Sequence, residues 1–120
     1  MAMLDLRPEW LETVRRLLAV HLPEAEVCAY GSRVGGTAHE GSDLDLAVRN
    51  PTDLEKPFHD LNGLREAFAE SDLPILVDVL DWARIPESFR REISRGGIVV
   101  VQGAERSVEA GNRPEAKKSP

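Results

Sequence analysis

The chain has 120 residues, 42% hydrophobic and 30% charged, which fits one globular domain with a real core and excludes a disordered chain. A formal charge of −6, from 15 basic and 21 acidic residues, argues against a broad nucleic-acid-binding face but leaves room for a phosphate ligand that arrives with magnesium. One cysteine, Cys28, excludes an internal disulfide and a Cys-rich zinc site, and points to a reducing cytoplasm.

The N-terminus, Met-Ala-Met-Leu-Asp-Leu-Arg, has no basic stretch followed by an apolar one, so no signal peptide is expected. From Pro8 to Val20, Trp10, Leu11, Val14, Leu17 and Leu18 fall on one face at helical spacing. Pro8 suits a first helical turn, where a missing N–H costs nothing. Pro23 closes the segment. Glu26 to Tyr30 is short, apolar and followed by Gly31, which predicts a buried strand. Gly31 to Ser42 is a glycine-rich loop with a helical turn starting near Ser32.

Asp43 to Val48 alternates with period two and predicts a second strand, ended by Asn50-Pro51. Asp53 to about Glu70 reads as a helix with Phe58, Leu61, Leu64 (or Arg65) and Phe68 on one face and Pro57 marking its true first turn. Ile75 to Leu80 is the strongest strand signal, and its apolar run on both faces predicts a central, buried strand. Pro86 to Ser94 reads as a short helix carrying Phe89 and Ile93 inward, ended by Gly96-Gly97. Ile98 to Val101 is a final apolar strand. Apolar runs never exceed five residues, far short of the roughly 20 that a membrane helix needs. Residues 1–103 are therefore expected to form the domain, and 104–120, with Val108 its sole large hydrophobe, a disordered tail. The order implies an α/β fold with a mixed sheet of about four strands and helices packed on it.

Chemistry concentrates in a few residues. On a strand, side chains two apart share a face about 6.6–6.8 Å apart, so Asp43 and Asp45 point together while Leu44, Leu46 and Val48 take the other side. Two anions side by side are unfavourable without a cation, and magnesium takes hard carboxylate oxygens together with substrate phosphates. On these residues alone, the alternative is that Asp43 caps a turn and Asp45 faces solvent. Asp78 stands in an otherwise apolar strand, where a buried carboxylate needs a metal or an arginine partner. Asp81 reads as a surface residue or a helix-entry cap. Gly31-Ser32, after a strand, suits phosphate: glycine lets backbone approach closely and serine adds a hydroxyl donor. An ordinary turn is the alternative. His21, His39 and His59 are scattered, which sets aside haem, iron–sulfur and structural zinc roles, and His39 reads as a surface loop residue.

Taken together, Gly31-Ser32-Arg33-Val34-Gly35-Gly36 and Ser42-Asp43-Leu44-Asp45-Leu46-Ala47-Val48 resemble the signature of the minimal nucleotidyltransferases of the DNA polymerase β-like superfamily. The resemblance covers about Leu4 to Val101. It implies the minimal nucleotidyltransferase fold, with Asp43, Asp45 and Asp78 binding two Mg²⁺ ions (or Mn²⁺) and serving catalysis. It also implies that Gly31, Ser32, Arg33 and Ser42 hold the nucleotide, ATP or another nucleoside triphosphate. The family pattern Gly-Ser-x-Ala-Arg-Gly is broken at Gly35, where the second basic residue is missing and Arg33 is the candidate to compensate.

A core of about 100 residues leaves little room for a second substrate. The resemblance implies that a small all-helical partner, a HEPN-type toxin or a related substrate-binding protein, completes the acceptor site, or that the chain oligomerises. The expected function is transfer of AMP from ATP to a hydroxyl of that partner, with tyrosine the expected acceptor, as the antitoxin of a pair. The alternatives are a non-catalytic nucleotide-binding module that neutralises a helical toxin by occlusion, and a small-molecule (antibiotic) nucleotidyltransferase.

Overall fold

Helix α1 (Pro8–His21) begins on Pro8 with Glu9 in its first turn, where an acidic side chain complements the helix dipole. Val14 and Leu18 on its inner face are fully buried, each a contribution of about 1.5–3 kcal/mol. Strand β1 (Glu26–Tyr30), the short helix α2 (Ser32–Gly35) and strand β2 (Leu44–Arg49) follow. Then come α3 (Asn62–Ala69), β3 (Val77–Asp81), a 3₁₀ turn (Trp82–Arg84), α4 (Glu87–Gly96) and β4 (Val99–Gln102). The structure is a computed structural model and describes residues 3–103. The tail read above at 104–120 lies outside the described residues.

The sheet is mixed, in the order β3-β2-β1-β4. Strand β1 is antiparallel to β2 and β4, and β2 runs parallel to β3. Parallel neighbours need a crossover, and residues 50–76 supply it through α3. One face of the sheet presents Val27, Ala29, Leu44, Leu46, Val48, Val79 and Val101 to α1 and α3, whose Leu64 and Phe68 complete the main core. The other face is only half covered. There Tyr30, Ala47, Trp82 and Ile93 form a smaller cluster with Phe89, under α4 and the 3₁₀ turn. The carboxylates lie on this second face, beyond the cover.

The element order expected from the sequence is present, with three corrections. The helix expected over Asp53–Glu70 is confined to Asn62–Ala69, and the residues before it form a loop. Three side chains there compete with helical hydrogen bonding: Asn50 accepts from the Thr52 amide, Asp53 from Glu55, and Asp60 from Asn62. The strand read at Ile75–Leu80 starts at Val77, and Leu76 is 73% exposed. It is an edge strand, and Asp78 lies on its half-covered face beyond the small cluster, so Asp78 is exposed rather than buried.

Candidate functional site

The alternation of β2 puts Leu44, Leu46 and Val48 into the main core and turns Asp45 to the opposite face. The parallel register sets Asp45 directly beside Asp78, and the antiparallel register sets Tyr30 on the other flank of Asp45. Neighbouring strands lie about 4.8 Å apart, so three adjacent strands line up Tyr30, Asp45 and Asp78 in one row. Asp43 precedes β2 by one residue and is exposed at the rim of the row.

The turn after Tyr30 closes over this row. Gly31 has φ 82° and ψ −153°, a conformation that glycine alone adopts readily. A Cβ on Gly31 would lie 2.5 Å from Asp45 Oδ2. The Gly-Ser turn is thus packed against the carboxylate, and Ser32 opens α2 beside it. The Gly31 carbonyl accepts from the amides of Val34 and Gly35, which fixes the turn.

The electrostatics match the geometry. The Asp45 carboxyl is pushed above the usual carboxylate range, first by burial and then by the charges of Asp78 and Asp43. Burial, aided by the Asp45 and Asp78 charges, likewise pushes the Tyr30 hydroxyl up. None of the ion pairs among the described residues involves Asp43, Asp45 or Asp78. Among the described residues no three His, Cys, Asp or Glu side chains converge into a ready-made metal cluster. The donor set nonetheless fits a divalent cation: two hard-oxygen carboxylates in register, without a protein cation paired to them among the described residues, with a third at the rim.

The remaining sequence candidates divide. Ser42 stands in the loop before Asp43, where its hydroxyl accepts from the His39 amide. The Arg33 guanidinium does not face the open side of the turn. It is buried, 4% exposed, and bonds backbone carbonyls. His39 is an exposed loop residue, as expected, with Nδ1 accepting from the Gly41 amide. Asp81 caps the 3₁₀ turn, as one reading had it, but it is buried rather than at the surface. Sequence reading counted Tyr30 only as a strand residue; its place immediately before Gly-Ser was the signal that it would flank Asp45.

The family model described as "Polymerase beta, Nucleotidyltransferase" matches residues 13–106. The chain is 47% identical over 108 residues to the "Probable protein adenylyltransferase MntA" of Haemophilus influenzae, covering 90% of this chain and 92% of that one. Among solved structures it is similar to one described as "Crystal structure of the toxin-antitoxin with AMP-PNP". The TM-score is 0.59 at 22% identity, covering 79% of this chain and 74% of that one, a likeness of fold.

Proposed function

The chain belongs to the polymerase β nucleotidyltransferase family, and we propose that it moves AMP from ATP onto a hydroxyl of a small helical partner protein, as the antitoxin of a toxin–antitoxin pair. The observation that carries this reading is the in-register pair Asp45 and Asp78 beneath the Gly31 turn. The near-full-length relative described as a protein adenylyltransferase, and a structural neighbour that is a toxin–antitoxin complex with AMP-PNP, support it.

In this reading Gly31 and Ser32 hold the triphosphate, since the glycine leaves backbone uncovered for a phosphate to approach. Asp43, Asp45 and Asp78 would hold two magnesium ions, or manganese in their place, which supply electrostatic stabilisation of the attacking and leaving oxygens. Asp78, exposed on the edge strand, stands on the acceptor side and takes the proton of the attacking hydroxyl. That oxygen bonds the α-phosphorus, the bond from the α-phosphorus to the pyrophosphate oxygen breaks, and pyrophosphate leaves. The protein forms no covalent intermediate; positioning and electrostatics lower the barrier. The half-covered sheet face leaves the row open on the side from which a partner protein would bring its hydroxyl.

The test is incubation with labelled ATP, Mg²⁺ and the product of the adjacent gene. Label is expected on the partner, released as AMP on hydrolysis, and lost with Asp45→Asn or Asp78→Asn. An unlabelled partner in the wild-type reaction overturns the transfer reading. Occlusion without catalysis is the second reading, favoured by Gly35, where the family pattern carries a basic residue. Under occlusion, Asp43→Asn with Asp45→Asn would still neutralise the toxin.

A further inference from the structure

Arg33 follows the Gly-Ser turn and carries the charge expected to meet phosphate, yet its surroundings are made for something else. The guanidinium is 4% exposed. Its Nε donates to the Ser42 carbonyl at 3.1 Å, Nη1 to the Asp5 carbonyl at 2.9 Å, and Nη2 to the carbonyls of Glu40 and His39 at 2.9 and 3.3 Å. Four of its five N–H donors are thereby committed to backbone. Its Cζ also lies 5.8 Å from the centroid of the Trp10 ring, and its own carbonyl accepts from the Asp5 amide at 2.7 Å. Among the described residues no carboxylate pairs with it; backbone dipoles from two separate segments surround it instead. A rigid planar fork can gather that many carbonyls, whereas a lysine ammonium cannot reproduce the geometry.

Three of the four carbonyls belong to His39, Glu40 and Ser42, the segment that runs straight into Asp43. We propose that Arg33 is a positioning residue: it ties the loop before Asp43, the N-terminal segment at Asp5 and the Gly-Ser turn into one body, and so fixes Asp43 relative to Asp45 and Asp78. It acts on the divalent cation through Asp43 and does not contact the nucleotide. This rests on the reading above that these carboxylates hold the metal.

Two measurements on the full chain test it. The first uses the wild-type protein and follows side-chain and backbone N–H resonances. The Arg33 Nε–H is expected to exchange slowly with solvent and to stay in place on addition of Mg-ATP, while the Gly31 and Ser32 amides move. A large ATP-induced shift at Arg33 Nε–H, or fast exchange there, overturns the proposal. If the Gly31 and Ser32 amides also stay still, the nucleotide reading fails, and the protection of Arg33 Nε–H is still read separately. The second measures Mn²⁺ binding without nucleotide by electron paramagnetic resonance, on Arg33→Lys and Arg33→Met. Both are expected to weaken Mn²⁺ binding about 10-fold or more, in the range of residues that orient metal ligands. In an Asp43→Asn background, Arg33→Lys should add no further loss. Full Mn²⁺ affinity in Arg33→Lys, or losses that add to that of Asp43→Asn, overturns the proposal.

Discussion

Gly31 and Asp45 touch: a Cβ placed on Gly31 would sit 2.5 Å from Asp45 Oδ2. The contact joins the end of β1 to the middle of the carboxylate row, and a backbone at φ 82° and ψ −153° makes it possible. Gly31→Ala meets two penalties at once, a disfavoured conformation and a collision that the Asp45 carboxylate must swing aside to relieve. The expected cost is about 1–3 kcal/mol of stability. Because Asp45 itself must move, transfer activity should fall further than stability explains, by roughly a hundredfold or more, the scale of a small misplacement of reacting groups. Denaturant melts and labelled-ATP transfer on the same preparation check both. Activity near wild type would mean that Asp45 is not held by this contact.

The Asp45 carboxyl is raised by burial first and by its acidic neighbours second. A carboxyl whose folded pKa lies above its unfolded value supports the fold at pH below the unfolded value. That support is lost as pH rises through the folded value. At neutral pH, then, ionised Asp45 costs stability. Asp45→Asn should raise Tm by a few degrees at pH 7, an advantage that shrinks as the pH is lowered through the Asp45 titration, while transfer is lost. Mn²⁺ or Mg²⁺ should raise the Tm of the wild type at pH 7 and lose that effect on acidification, because protons then compete for the same oxygens. Thermal melts of both proteins across that pH range, with and without metal, give the signs directly.

Much of this was readable from the residues, and the misses have physical causes. The period-two pattern of Asp43–Val48 told which side chains share a face, since that depends only on the pleat of a strand. The core residues Leu61, Leu64 and Phe68 were picked correctly even though the helix expected over Asp53–Glu70 shrank to Asn62–Ala69. Side-chain acceptors at Asn50, Asp53 and Asp60 win the local competition there, and the Phe58 amide is tied to Asp81 from a distant strand. Asp78 was expected to be buried because its neighbours in sequence are apolar. Its exposure follows from its place on the half-covered face of an edge strand, a property of topology and of the covering helices that no local pattern encodes. Arg33 looked like a phosphate ligand because charge is visible in a sequence, whereas the carbonyls that it gathers are not.

Gly35 is the place where the chain departs from the pattern it resembles, and there is room to restore it. A Cβ on Gly35 meets nothing within 4 Å, and the residue ends α2, close to the Gly-Ser turn. Gly35→Arg should therefore fold, with a gain of about 0.5–1 kcal/mol from removing a helical glycine. With Arg33 committed to carbonyls, the new guanidinium would be a mobile cation beside the triphosphate. The KM for ATP is expected to fall about 3- to 10-fold with little change in kcat, the signature of added ground-state binding. An unchanged KM would place the triphosphate away from α2.

Asp78 and Asp81 stand three residues apart on one strand and do opposite work. Asp78 is exposed, in register with Asp45, and has no ion-pair partner among the described residues. Asp81 is 5% exposed, accepts from the Phe58 amide at 2.8 Å and the Ala83 amide at 3.2 Å, and pairs with Arg84 Nε at 3.3 Å. Removing Asp81 leaves buried donors without an acceptor and releases the loop at Phe58 from the 3₁₀ turn. Asp81→Ala should cost about 2–3 kcal/mol, while the transfer rate per folded molecule stays within about twofold. Asp78→Ala should leave stability within about 0.5 kcal/mol, as surface changes do. It should cut transfer by at least about a hundredfold, since the expected loss of several kcal/mol falls on the transition state. Paired denaturant melts and single-turnover transfer assays on the two variants separate the roles. A destabilised Asp78→Ala with full activity per folded molecule would reverse the assignment and move the chemistry away from the edge strand.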